Sequence, residues 1–343
     1  MTKKLRIAMI GCGGISVGAH ISNYKDMDNV EIVWLCDILP EKMAAAKAKY
    51  AFISAAKETT DYNEVLADPE VDAVDICTPN YLHSIIAIAA LNAGKHVMTE
   101  KPDAMTEAEV VEMKKAAEAN GKVLMAMRNN RFMPCSTYTK NAIARGDFGE
   151  VYAGRCGWVR RRGVPGRGSW FTDKKQSGGG PLIDLGVHMI DLSMYLMGNP
   201  KPVSVTGSTY SKFSHLGGGE GVFDVEDLAM GFIKFDNGAC LQFEFSWASN
   251  IEYEHRFVEL RGTKAGCKIL GDALTIYSEK DGGQSNEDLH FRGLYGHTAA
   301  LIHFVDVVLN GAKPIFEPQQ GVDMIKLLNA IYESAETGKE IRL

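Results

Sequence analysis

The sequence contains no cysteine pair at metal-binding spacing, no long basic run and no apolar stretch of membrane-spanning length. Each absence excludes a class of protein. The 7 cysteines are odd in number, scattered and without a C-x-x-C, so they suggest neither a disulfide framework nor a zinc site; no metal is expected, and a reducing cytoplasm is the expected location. With a formal charge of -6 and no cluster of Lys or Arg, the chain lacks the electrostatic footprint of phosphate-backbone recognition, and nucleic acid is not an expected partner. No run reaches the roughly 18 apolar residues of a membrane span, so a membrane is not expected either. The lysines before Leu5 superficially look like the start of a secretory leader, but the apolar run that follows is short and leads into glycines that suit a strand-turn-helix. Internal repeats and low-complexity tracts are also missing. What is there is an ordinary globular chain of 343 residues, 45% hydrophobic, enough for about two domains with their own cores.

Over residues 5 to 128, short apolar runs at 5–10, 31–36, 71–77, 96–99 and 123–127 alternate with helical stretches at 15–24, 40–50, 61–67, 80–93 and 106–120. Strands that are apolar on both faces and alternate with helices predict a parallel sheet covered on both sides. Beyond Pro134 the pattern changes to a helix and then to strand-like runs at 151–162, 203–210, 225–235, 239–247, 257–262 and 267–270, with Asp236-Asn237-Gly238 as a hairpin signal and two closing helices near 297–310 and 319–337. The expected fold class is therefore α/β. Residues 1–128 are expected to form an N-terminal Rossmann doubly wound parallel sheet of dinucleotide-binding layout, and residues 129–343 a C-terminal α/β domain with a large open, mostly antiparallel sheet, left for substrate binding and oligomerisation.

Three separated motifs carry the chemistry. In Gly11-Cys12-Gly13-Gly14-Ile15-Ser16, Gly11 permits a tight turn, Gly13 lets the backbone approach a pyrophosphate, and the following helix offers its N–H groups. Ser16 stands where a third glycine is usual. Asp37, 24 positions beyond Gly13 and at a strand end, suits a ribose hydroxyl and repels a 2′-phosphate, so NAD is expected in preference to NADP. The turn Cys77-Thr78-Pro79-Asn80 follows another strand, with Asn80 a cofactor contact, a helix N-cap, or both. Lys101, in Glu100-Lys101-Pro102, projects from a strand's carboxyl edge, where its donors can bind a substrate hydroxyl. On a helix expected from Pro181 to Met197, Leu185, Met189, Leu192 and Leu196 make a core stripe beside a polar stripe of Asp184, His188, Asp191 and Tyr195. Histidine is the natural base for a hydroxyl proton near neutral pH, and a carboxylate one turn away can orient it. Gly186 costs about 1 kcal/mol inside a helix, which suggests that something approaches closely there.

GCGGIS, CTPNYLH at 77–83, GKHVMTEKP at 94–102, SGGGPLIDLGVHMIDL at 177–192 and the closing AIYESAETGKEIRL together resemble the glucose-fructose oxidoreductase / inositol dehydrogenase (Gfo/Idh/MocA) family, over nearly the whole chain. The resemblance implies a catalytic set of Lys101, Asp184 and His188, cofactor contacts at Gly11, Gly13, Asp37, Thr78, Asn80, His83, Glu100 and Lys101, and a cis bond before Pro102. Gly14, Ile15, Ser16, Pro79 and Asn129 complete the expected nucleotide site. It further implies a homodimer or homotetramer formed through the open sheet.

Trp158, Arg160, Arg161, Arg162, Arg167, Trp170 and Lys174 precede the third motif; Arg160 and Trp170 suit a sugar pocket, because planar donors and aromatic faces recognise polyols, whereas an arginine run is otherwise a solvated face. Asp227 and His297 are expected in pocket or structural roles. The expected activity is NAD-dependent oxidation of a secondary hydroxyl on a cyclic polyol or sugar, such as an inositol, aldose or glycoside. Two alternatives share the fold: a redox-neutral glycosidase that restores its cofactor within each cycle, and a non-catalytic dinucleotide sensor. A sensor has no need of a proton acceptor.

Overall fold

A strand that is apolar on both faces must be covered on both, and Leu5–Ile10 (β1) is buried at every position except Arg6. The computed structural model describes residues 4–343 apart from Arg167 and Tyr295. Its strands β1, Val30–Cys36 (β2), Lys57–Thr59 (β3), Ala73–Ile76 (β4), His96–Thr99 (β5) and Leu124–Ala126 (β6) make one parallel sheet in the order β3-β2-β1-β4-β5-β6. This is the doubly wound Rossmann order. The strand sequence reverses direction between β1 and β4, so ligands are expected outside the carboxyl ends of those two strands. Helices at Pro40–Lys49, Tyr62–Ala67, His83–Asn92 and Glu107–Asn120 make the crossovers; the last has a capping box of Thr106 and Glu109, and Gly121 at φ +59° ends it.

The remaining strands, Val151–Val159 (β7), Pro202–Tyr210 (β8), Leu228–Phe235 (β9), Cys240–Ser246 (β10), His255–Gly262 (β11), Ala265–Leu270 (β12), Ala273–Lys280 (β13), Gly283–Leu289 (β14) and Ile341–Arg342 (β15), form a nine-stranded sheet. Its pairs are antiparallel except β7 with β10. The Asp236-Asn237-Gly238 hairpin joins β9 to β10, with Gly238 at φ +82°. One face buries Cys156, Leu241, Phe243, Phe245, Val258 and Leu260, and the helix Val187–Leu196 packs on it against β7 and β11. The other presents a cross-strand row of Phe232, Gln242, Arg155, Glu259 and Lys268.

The strands β3, β13, β14 and β15 were not expected from the sequence. The chain divides into two compact units, residues 1–129 with 297–322, and 130–296 with 323–343. The first boundary lies one residue beyond the expected 128, and the segment 297–322, expected in the second domain, belongs to the first unit. Among the described residues, no helix is long and apolar enough to cross a membrane.

Asp191, expected on a polar stripe, is buried and forms a two-pronged pair with Arg131 (Nε to Oδ2 2.8 Å, Nη2 to Oδ1 2.7 Å), while Tyr195 lies under the guanidinium with its ring centre 4.8 Å away. Removing one member of such a pair leaves a charge in an apolar site, at a cost of about 3–5 kcal/mol, whereas an apolar replacement of both is often near neutral. Asp191→Leu is expected to lower the unfolding free energy obtained from urea titration by that amount, and Arg131→Met/Asp191→Leu to recover most of it. Equal losses in the single and double variants would refute the buried-charge account.

Candidate functional site

The glycine turn after β1 fits tightly on the turn after β4. Gly11 sits at φ +93°, and a Cβ there would stand 2.5 Å from the Cys77 carbonyl oxygen, so both backbone strain and contact require glycine. A Cβ on Gly13 or Gly14 would meet no atom within 4 Å. Protein packing therefore does not demand those two glycines, and the open backbone matches a loop that a dinucleotide pyrophosphate approaches. Asp37 Oδ2 accepts the Cys12 N–H (2.8 Å) and Oδ1 accepts the Leu39 N–H (3.0 Å), which ties the expected ribose-binding carboxylate to the glycine turn itself. The Ser16 Oγ and Thr78 Oγ1 atoms are buried without a hydrogen-bond partner among the described residues, as oxygens lining a nucleotide cradle would be. Burial pushes the Cys12 and Cys77 thiols up to about 12, so neither is a nucleophile.

The helix after this turn begins with a π-helical stretch, Ser16–His20, and ends at Tyr24. Ile15 is exposed just before it. His20 is buried against two carboxylates: Nδ1 lies 2.8 Å from Asp75 Oδ2, and Nε2 lies 2.9 Å from Glu100 Oε1. Tyr24 donates its hydroxyl to Asp75 Oδ2 at 2.9 Å. Burial disfavours the imidazolium, but Asp75 outweighs it and holds His20 well above its ordinary value; burial likewise opposes the Glu100 carboxylate, yet His20 and His297 hold it well below. His297 has its Nε2 3.7 Å from Glu100 Oε1, so it joins this network. None of His20, Tyr24 or Asp75 was expected from the sequence. The signal was there in Asp75, a carboxylate within the otherwise apolar run of β4.

Glu100 Oε2 accepts the Lys101 N–H at 3.0 Å, and the Lys101–Pro102 bond is cis. His83 is buried, with Nδ1 2.7 Å from the Pro102 oxygen and Nε2 2.9 Å from the Thr78 oxygen, and burial lowers its proton affinity. Each ring nitrogen of His83, a residue expected to contact the cofactor, thus lies beside a backbone carbonyl. Asn80 opens a 3₁₀ turn at Asn80–Leu82, whose N-cap position is Pro79 with no side-chain cap; the helix His83–Asn92 likewise has no side-chain cap. The N-cap role expected of Asn80 is not realised. Asn129 begins the 3₁₀ turn Asn129–Phe132.

In the second unit, Asp184 and His188 lie on consecutive turns of a helix that starts as a π-helical stretch, Leu182–Gly186, and continues as Val187–Leu196, with Gly198 at φ +91° after its end. The core stripe of Leu185, Met189, Leu192 and Leu196 is buried as expected. The close approach at Gly186 is the Phe245 ring, 3.0 Å from where a Cβ would stand. Trp247 Nε1–H donates to Asp184 Oδ2 at 3.0 Å, and the Trp158 ring centre is 5.9 Å from that of His188. Glu226 accepts from Gly180 N (2.9 Å), Leu182 N (3.1 Å) and Tyr332 Oη (2.9 Å), so a buried carboxylate caps the helix start. Trp247, Glu226 and Tyr332 were not expected from the sequence.

The arginine run separates by role. Arg160 and Arg256 both lie over Trp158, with guanidinium carbons 5.1 and 5.2 Å from the ring centre, which brings Arg160 to the neighbourhood of His188. Arg161 and Arg162 give their backbone N–H groups to Glu254, and Arg162 reaches the Ser249 carbonyl, so these two brace loops. Trp170 stacks on Phe171 at 3.8 Å. Arg167 lies outside the described residues. Asp227 is buried, and its carboxylate takes the backbone N–H groups of Lys212 and Phe213, a structural role.

These features define a dinucleotide-dependent oxidoreductase. Residues 5–127 match the family model for the NAD-binding Rossmann fold of the Gfo/Idh/MocA oxidoreductases, and residues 137–268 match the Gfo/Idh/MocA C-terminal domain. The chain is 34% identical to D-glucoside 3-dehydrogenase of Escherichia coli (strain K12), over 99% of this chain and 97% of that protein. It is 30% identical to levoglucosan dehydrogenase of Pseudarthrobacter phenanthrenivorans, over 81% of this chain and 75% of that one. A solved structure of levoglucosan dehydrogenase with NADH and L-sorbose matches at a TM-score of 0.90 and 25% identity, over 99% of each chain. The chain belongs to the Gfo/Idh/MocA family, and residues 5–127 of its first unit are that family's NAD-binding Rossmann fold.

The His20 network gives a signed pH dependence. Glu100, depressed below its ordinary 4.5, adds stability above that pH and loses it as pH falls toward its folded value; His20, raised above its ordinary 6.5, adds stability in full below 6.5 and loses it as pH rises through its folded value. The gap in melting temperature between wild type and His20→Leu is therefore expected to be widest between those two ordinary values and to narrow on the alkaline side. A gap that widens as pH rises above 6.5 in calorimetric scans would contradict the assignment.

Proposed function

We propose that the protein is an NAD-dependent dehydrogenase that oxidises a secondary ring hydroxyl of a glycoside or related cyclic polyol to a ketone. The observation that carries this reading is the restraint on Asp184: a buried tryptophan donates to its carboxylate one turn before His188, so the pair is built to take and hold a proton. His188 accepts the hydroxyl proton, and Asp184 orients the imidazole and stabilises the imidazolium that forms. Lys101 donates to the reacting oxygen and anchors it. Bound NAD supplies the acceptor for the hydride that leaves the same carbon, so substrate loses two electrons and two hydrogens, one as hydride and one as the proton held by His188. Asp37, with both oxygens already fixed by backbone N–H groups, presents a negative edge suited to ribose hydroxyls and hostile to a 2′-phosphate. Arg160 and Trp170 are assigned to the sugar, through planar donors and an aromatic face. The similarity to D-glucoside 3-dehydrogenase favours a glycoside. Self-association uses the outward face of the nine-stranded sheet, where Met230, Phe232 and Tyr277 are exposed.

Lys101→Met and His188→Ala are each expected to lower kcat by on the order of 10²–10⁴-fold while the Kd for NAD stays near wild type. Near-wild-type turnover in both would refute the assignment. A panel of glycosides, aldoses and inositols with NAD and NADP, followed at the nicotinamide absorbance, is expected to give net NADH with a glycoside. Glycoside cleavage without net NADH would instead identify a redox-neutral cycle. Trp247→Phe, which deletes one donor to a carboxylate, is expected to cost about 1.5–3 kcal/mol of transition-state stabilisation, read as lowered kcat/KM.

A further inference from the structure

His20 is fully buried and takes no direct part in the proposed chemistry, yet both of its ring nitrogens meet carboxylate oxygens, Asp75 Oδ2 at 2.8 Å and Glu100 Oε1 at 2.9 Å. An ionised carboxylate only accepts hydrogen bonds, so each contact needs a proton on its nitrogen, and the imidazolium satisfies both at once. The same three groups, with Cys77 and His297, stand close enough together to suggest metal ligation. Two donors on one tetrahedral ion at ~2.1 Å would stand ~3.4 Å apart, and the His20 contacts, at 2.8 and 2.9 Å, have the separations of hydrogen bonds. The other groups facing the cluster are Tyr24, which donates to Asp75, Cys77, with Sγ 3.7 Å from Asp75 Oδ1, and His297, 3.7 Å from Glu100.

We propose that His20 is a positioning residue for Lys101. By donating to Asp75 at the end of β4 and to Glu100 after β5, His20 fixes the Glu100 carboxylate, and the second oxygen of that carboxylate holds the Lys101 backbone N–H at 3.0 Å. His83 does the matching work on the far side of Lys101, where its ring contacts the Pro102 and Thr78 carbonyls. The lysine is thereby held through both of its chain neighbours. Without His20 the Glu100 carboxylate would be buried without its main counter-charge, and it would turn toward solvent or take up a proton. Either change releases the Lys101 N–H. The inference rests on the role proposed above for Lys101.

Two isosteric replacements separate the two halves of the bridge. A glutamine amide nitrogen falls near the position of histidine Nε2 and keeps the donor to Glu100; an asparagine amide nitrogen falls near Nδ1 and keeps only the donor to Asp75. In glycoside oxidation, His20→Asn is expected to lose on the order of 100-fold in kcat, the scale of an ångström-level misplacement, and His20→Gln to retain much more, with NAD affinity near wild type in both. Tyr24→Phe, which removes a donor to Asp75 alone, is expected to lower the melting temperature and leave kcat unchanged. The proposal is overturned if His20→Asn keeps wild-type kcat, or if the Asn and Gln variants lose kcat equally and in step with melting temperature. Should neither fold, nitrogen-15 NMR of the wild-type imidazole at neutral pH decides: two N–H groups support the bridge, and a neutral ring with one overturns it. Wild-type turnover in Lys101→Met would remove the reading of Lys101 and this proposal with it. An inactive Lys101→Met beside a fully active His20→Asn would remove the positioning role alone.

Discussion

Two buried imidazoles tie the carboxyl end of β4 and the turn that follows it to the turn after β5, and the local geometry around Lys101 depends on them. The His83 ring lies between two carbonyls, and in its neutral form it donates to one of them, whereas His20 bridges two carboxylates, so the ties differ in character. Burial favours the uncharged form of His83, which has only dipoles for partners. His20 keeps its charge because Asp75 and Glu100 offset the loss of water, and each carboxylate is in turn acceptable in the interior because His20 is there. Removing any one member would strand the others. Such a cluster adds little net stability over an apolar core but strongly specifies one arrangement of the strand ends.

The helix with Asp184 and His188 is held by a different set of forces. At its start a buried carboxylate, Glu226, takes two of the N–H groups that a helix leaves unsatisfied, and Tyr332 satisfies the same carboxylate. Farther along, the Arg131–Asp191 pair locks the register, and Phe245 seats against Gly186, where a Cβ would crowd the ring. Trp247 then fixes Asp184. Both functional helices open with a π-helical stretch, Ser16–His20 and Leu182–Gly186. A π turn inserts a residue and weakens the backbone ladder, a distortion often found where side chains must be aimed at a ligand.

The parallel sheet was legible because its strands are apolar on both faces and alternate with helices, and the hairpin at Asp236-Asn237-Gly238 because turn chemistry is local. The missed strands had no such pattern. β14 is polar and exposed along most of its length, and β3 is three residues with one buried position, so neither shows a period of two. A turn signal between β13 and β14 was present all the same in Asp281-Gly282, where both residues have positive φ. Asn80 was read as a possible cap because its residue type favours that position, but a 3₁₀ turn intervenes before the helix.

The sequence by itself determined the alternation of strands and helices, the glycine turn, the carboxylate at Asp37, the lysine before Pro102 and the Asp184–His188 spacing, since each depends on chain neighbours or on a fixed helical or strand period. Tertiary structure alone decided the partners that come from distant segments: His20 between residues 75 and 100, Trp247 on Asp184, Glu226 at residues 180 and 182, and Arg256 beside Arg160 on Trp158. Residue type signals that a buried polar group needs a partner. Which atom provides it depends on chain packing across tens of residues, where no sequence periodicity reaches.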